Sequence, residues 1–139
     1  MNRENIVGNV TGSVKWVLRA EALAVLILAL SFYFQQGYSG LTFALYFLVP
    51  DLSFLGYLVN KKVGAMAYNG AHSLVGALGI VALGFFLNIE LFQMAGLIWV
   101  SHIGVDRTLG YGLKYENGFG FTHLGLIGKE KKRSQKIVL

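Results

Sequence analysis

The chain has 139 residues, of which 55% are hydrophobic and 14% charged, with a mean hydropathy of +0.56 and a net charge of +5. A soluble domain carries about 25% charged residues, so this composition and its long apolar runs point to an integral membrane protein with one bundle domain. Cysteine is absent, which excludes disulfides, thiolate metal sites and cysteine catalysis.

Residues 1–13 form a polar N-terminal segment in which Thr11 or Ser13 is placed to cap a helix. The first span is expected over about 14–34, with Trp16 and Arg19 at its interfacial end. Its apolar run is too long for a signal peptide and no small-residue cleavage site follows it, so an uncleaved helix is expected. Gln35 to Gly40 reads as a polar turn. The second span covers about 41–60 and contains Pro50, which removes a helix hydrogen bond and predicts a kink. Asp51 follows directly, and Asn60-Lys61-Lys62 is expected to close the helix. The third span covers about 63–87, Asn88-Ile89-Glu90 is a tight turn, and the fourth span covers about 91–114. Phe32-Tyr33-Phe34 and Phe85-Phe86 read as an outer interfacial belt. The transmembrane domain is thus residues 14–115. Residues 116–139 are a glycine-containing loop and a basic tail that is solvated or faces headgroups.

These four antiparallel spans define an all-α membrane bundle, and the charges orient it. All 12 Lys and Arg residues fall on one side, and the turns at 35–40 and 88–90 have none. The positive-inside rule places both termini in the cytoplasm, which locates the chain as a multi-pass protein of the inner membrane. The basic character is therefore matched to membrane lipid. There is no basic stripe with interleaved aromatics, so nucleic acid is not an expected partner. Small residues on the third span permit a homodimer without requiring one.

Four ionisable residues interrupt the apolar runs: Asp51, His72, His102 and Asp106. An Asp at a bilayer centre costs from roughly 2.5 kcal/mol upward, so such residues are functional candidates by default. Counting at ~1.5 Å per residue puts Asp51, His72 and His102 at a similar depth, roughly 13–17 Å from the cytoplasmic surface, with Asp106 one turn nearer it. His102 and Asp106 are four apart and share a helix face with Ala95, Trp99 and Leu109. His72 shares a face with Ala65, Tyr68, Asn69, Gly76 and Gly79, opposite Leu74, Ile80 and Val81, which face lipid. Two imidazoles and two carboxylates are standard ligands for a divalent ion, zinc before others. Such an ion can activate water for attack on an ester or phosphate, which makes Asp51, His72, His102 and Asp106 candidate catalytic and metal residues. Asn69 and Ser73 flank His72 as supporting or substrate-contacting partners. Arg107, Lys114 and His123 are expected to hold an anionic headgroup. Other readings of the same cluster are a proton or metal-ion relay, a haem clamped by His72 and His102, or helix glue in a structural accessory subunit.

The stretches Pro50-Asp51-Leu52-Ser53-Phe54-Leu55-Gly56-Tyr57, Tyr68-Asn69-Gly70-Ala71-His72-Ser73, His102-Ile103-Gly104-Val105-Asp106-Arg107 with Gly110-Tyr111-Gly112-Leu113-Lys114-Tyr115, and Thr122-His123-Leu124-Gly125 resemble the motifs of domain-of-unknown-function family 4260. That resemblance covers roughly residues 17–128 and implies a small bacterial membrane protein. The Pro-Asp, His-Ser and His-x-x-x-Asp order is also similar to membrane-bound metal-dependent hydrolases of the YdjM type. That likeness would carry the metal-ligand role onto Asp51, His72, His102 and Asp106. Those proteins have further His residues and an extended Asp motif that this chain lacks.

Overall fold

A computed structural model describes residues 8–137. The first seven residues of the polar segment, Arg3 among them, and residues 138–139 of the tail lie outside the described residues. The fold is almost entirely helical. Helix α1 is Gly12–Gln35, α2 is Gly40–Tyr46, a 3-10 helix follows at Val49–Leu58, and then come α3 (Lys61–His72), α4 (Leu74–Leu87) and α5 (Glu90–Leu109). A two-stranded antiparallel hairpin, β1 (Phe121–Thr122) and β2 (Gly125–Leu126), pairs Phe121 with Leu126 and Thr122 with Gly125. Helix α6 (Gly128–Ile137) closes the described chain.

Three stretches, Gly12–Gln35, Gly40–Leu58 and Lys61–Leu87, are long and apolar enough to cross a membrane. They expose Leu23, Ile27, Leu28, Leu45, Leu55, Val75 and Phe86 on their outer surfaces, far more apolar area than a soluble monomer presents. Helix α5 falls short of that hydropathy because it carries Gln93, Ser101, His102, Asp106 and Arg107. It is instead the most enclosed helix, with Gly96 through Val100 (Trp99 apart) and Ser101 through Gly104 buried against α1 and α4. Two glycines let it approach both neighbours: a Cβ on Gly96 would strike Val81 of α4, and one on Gly104 would strike Leu26 of α1. The core between them contains Ala29, Tyr33, Ala77, Leu97, Ile98, Val100 and Ile103.

The helix boundaries correct several expectations. Thr11 does occupy the cap position of α1, but its side chain makes no capping bond. Asn60 does not close the second stretch; its side chain accepts the Val63 N–H at 2.8 Å and starts α3. The second stretch is interrupted at Phe47–Leu48, just before Pro50, and continues as a 3-10 helix rather than a kinked α-helix. The third stretch is broken as well. Ser73 leaves helical geometry at φ −82°, ψ 137°, and its hydroxyl accepts the Val75 N–H at 3.3 Å to begin α4. That break turns α4, so Leu74 and Val81 pack on the core instead of facing lipid. Tyr33 is fully buried and donates to the Ser39 carbonyl, so only its neighbours Phe32 and Phe34 remain on the outer surface.

The fourth stretch ends at Leu109, where Gly110 adopts φ 95° and stops the helix. Residues 110–127 are not a trailing loop. They fold back against the end of the bundle, where Thr122 and Leu124 are buried and Lys114 bridges to Thr122. The basic tail is helical over α6 rather than irregular.

Candidate metal centre

Each helix break lies close to one of the four ionisable residues Asp51, His72, His102 and Asp106. Asp51 lies in the first turn of the 3-10 helix after the first break, and His72 is the last residue of α3 before the second. His102 and Asp106 come from one face of α5. The structure brings all four together, with one ligand atom of each lying within 4.8 Å of the others. His72 Nε2 is 3.1 Å from His102 Nε2, 3.2 Å from Asp51 Oδ1 and 3.4 Å from Asp106 Oδ2. His102 Nε2 is 3.2 Å from each of the same two carboxylate oxygens. Bonds of ~2.0–2.2 Å to a tetrahedral ion space its ligand atoms roughly 3.3–3.6 Å apart, so five edges of the cluster are already close to that size.

Proton placement supports the same conclusion. His72 Nδ1 is 2.9 Å from the Tyr68 carbonyl, which must receive its N–H. That bond leaves the Nε2 lone pair facing the cluster, the arrangement a metal-ligating imidazole needs. Tyr68 also stacks on the His72 ring, with centroids 3.8 Å apart, and Phe47 packs against His102 at 5.1 Å. Both imidazoles are buried, at 3% and 2% exposure, whereas Asp51 and Asp106 are 34% and 22% exposed. His102 Nδ1 has no hydrogen-bond partner among the described residues. Nitrogens 3.1 Å apart, each also touching two carboxylates, leave no slot for a macrocycle, so a haem clamped by His72 and His102 does not fit.

The broken end of α3 frees backbone carbonyls, and α5 satisfies them. The Trp99 indole N–H donates to the Ala71 carbonyl, and an Arg107 guanidinium N–H donates to the His72 carbonyl at 3.2 Å. Arg107 is therefore a clamp on the break rather than a free headgroup anchor. It also lines, with Glu21 and His123, a small cavity of about 160 Å³ on the α1 side of α5.

Four further expected substrate contacts are engaged elsewhere. Asn69 shares the His72 face but sits one turn away, where its amide donates to the Lys114 carbonyl at 2.8 Å and accepts the Lys114 N–H at 2.7 Å. Lys114 is 4% exposed. Its ammonium donates to the Phe119 carbonyl and lies 3.7 Å from the Phe119 ring and 4.7 Å from that of Tyr68. Burial pushes this amine down to about 8. His123 Nδ1 accepts the Leu113 N–H, and burial, assisted by the Arg107 charge, lowers its basicity. It is a neutral acceptor, not a cation for a headgroup. Ser73 caps α4. The sequence reading missed Tyr68, Trp99 as a clamp, and Phe119. Tyr68 and Trp99 each had a visible signal, their places on the His72 and His102 faces, and Phe119 had none.

A helical protein with three potential membrane-crossing stretches and a buried His/Asp cluster capable of holding a metal ion is the class these features define. The chain belongs to the family described as Domain of unknown function (DUF4260), whose model matches residues 15–127, from α1 through the hairpin. No curated protein and no solved structure shows significant similarity to it. The resemblance to YdjM-type hydrolases is not supported by these comparisons.

Proposed function

We propose that this chain is a multi-pass protein of the inner membrane, a four-span bundle with cytoplasmic termini, whose His/Asp cluster holds a divalent ion. Helix α5 is the fourth span in this reading, shielded from lipid by α1 and α4. The observation that carries the proposal is the convergence of two imidazole nitrogens and two carboxylate oxygens at 3.1–3.4 Å. Without a cation, these lone pairs repel in a poorly solvated setting. Zinc suits the ligand set and spacing.

The chemistry we assign is hydrolysis of a lipid-like ester or phosphate. The two carboxylates form the accessible side of the cluster, so water and substrate would approach there. A bound ion would polarise the scissile group and acidify water. Asp51, His72, His102 and Asp106 would fix the ion, with Tyr68 setting the His72 tautomer.

Plasma mass spectrometry of detergent-purified wild type and His102→Ala tests the centre. Near-stoichiometric metal in the wild type, and a loss of at least about tenfold in a variant that keeps its helicity, is expected. Metal-free wild type of native helicity, with protons taken up by the cluster on acidification, would replace the metal reading with a proton site.

A further inference from the structure

Between the second helical stretch and α5 lies a groove of about 780 Å³. It follows one stripe of α5. Leu91, Ala95 and Trp99 line it, and the stripe continues through His102 to Asp106. Leu91 and His102 are separated by about 16 Å of helix axis at ~1.5 Å per residue, the length of a fatty-acyl chain of roughly a dozen carbons. Pro50 and Ala71 also belong to the lining, and the residues that follow them in the chain are Asp51 and His72. The four ligands themselves are not part of the lining, which comes nearest to them in the chain at Pro50, Ala71 and Trp99.

Its lining selects an apolar occupant. No charged side chain contributes to it. The Ser53 hydroxyl donates to the Pro50 carbonyl at 2.7 Å, and the Trp99 N–H is held by Ala71. The Thr42 and Tyr46 hydroxyls are the other polar side-chain groups in the lining, so an ionic ligand would give up its hydration for two neutral hydroxyls, whereas a hydrocarbon chain has none to give up. The volume falls within the roughly 300–1,000 Å³ of ligand pockets.

We propose that this groove holds the hydrocarbon chain of a membrane lipid, with its methyl end near Leu91 and Thr42 and its acyl carbon at the His/Asp cluster. The substrate class is then a fatty-acyl ester, an assignment that rests on the hydrolytic reading above. In that reaction, water oxygen joins the acyl carbon, the carbon–oxygen bond to the alcohol breaks, and the departing oxygen takes a water proton.

The test is photolabelling of the full chain in detergent with palmitic acid bearing a terminal diazirine, with labelled residues mapped by mass spectrometry and metal measured on the same samples. Labelling is expected near Thr42 and Leu91, falling at least about tenfold with excess unlabelled palmitate. Labels on the outer face of α1, at Ile27 and Leu28, should resist that competition. Ala95→Trp, which fills the groove without altering a ligand, should cut groove labelling to the same extent with metal content unchanged. Labels spread evenly over groove and α1, or insensitive to both treatments, would overturn the proposal. So would an unlabelled groove in a dimer that Ala95→Trp dissociates, since a second copy of the chain would then be the occupant. Metal retained without groove labelling sinks the lipid site alone. Groove labelling in a metal-free protein supports the lipid site and sinks the metal centre.

Discussion

Helix α1 runs for 24 residues without interruption and contributes none of the four clustered ligands. The two stretches that follow it are each broken, and each break adjoins a ligand, Asp51 at the first and His72 at the second. The contrast separates two tasks. An unbroken apolar helix satisfies its own backbone and needs only a greasy surface. A broken one exposes carbonyls that other parts of the molecule must satisfy, and here α5 does so through Trp99 and Arg107. The same helix supplies His102 and Asp106. Both clamps and two of the four ligands therefore stand on one rigid element, which holds the cluster to its spacing.

The largest effect expected outside the ligands comes from Pro50→Leu. Restoring the N–H lets Tyr46 to Leu58 wind continuously, as α1 does, and carries Asp51 out of the cluster. Metal affinity, read by competition with a chromophoric chelator, should fall by about 10–100-fold in a folded protein. Unchanged affinity would mean the break does not set the site. Next, Arg107→Leu leaves the His72 carbonyl unpaired and should cost about 1–3 kcal/mol in detergent unfolding, and Trp99→Phe about 1 kcal/mol. Ile27→Ala on the exposed face of α1 should cost less than about 0.5 kcal/mol by the same measurement. Equal losses at Arg107 and Ile27 would erase the distinction between the two regions.

A separate effect is one of pH. Burial lowers Lys114, in the segment beyond α5, from 10.5 to about 8. Between those values the unfolded chain holds a proton that the folded one has released, so stability rises with pH across that window. The penalty for burying the ammonium is largest below about 8. In Lys114→Met the thermal midpoint should lose this rise, and a rise that persists would assign it to another group.

Depth counting and helix faces were enough to gather Asp51, His72, His102 and Asp106, because intramembrane charges have few places to go and the 3.6-residue period fixes their direction. The turns at 36–39 and 88–89 were legible from glycine and asparagine. Pro50 announced one break. Ser73, a cap residue ahead of an apolar run, announced the other, but a long hydropathic stretch masks a single cap. The fold-back of residues 110–127 was out of reach. It depends on Asn69 pairing with the Lys114 backbone and on the rings of Phe54, Tyr68 and Phe119, from three separate segments, around the Lys114 ammonium, and no local pattern encodes such contacts. The same contacts explain why Asn69 and Lys114 do not face the cluster.

The clamped break at Ser73 also has a consequence in time. Ala71 and His72 receive their hydrogen bonds from α5, which the ribosome delivers after α3 and α4. A nascent chain that has emerged only as far as Leu87 lacks those donors, and its least costly conformation in lipid is a straight helix through Ser73. A chain truncated after Leu87 should accordingly protect the Leu74–Ala77 amides from hydrogen exchange as a continuous helix does.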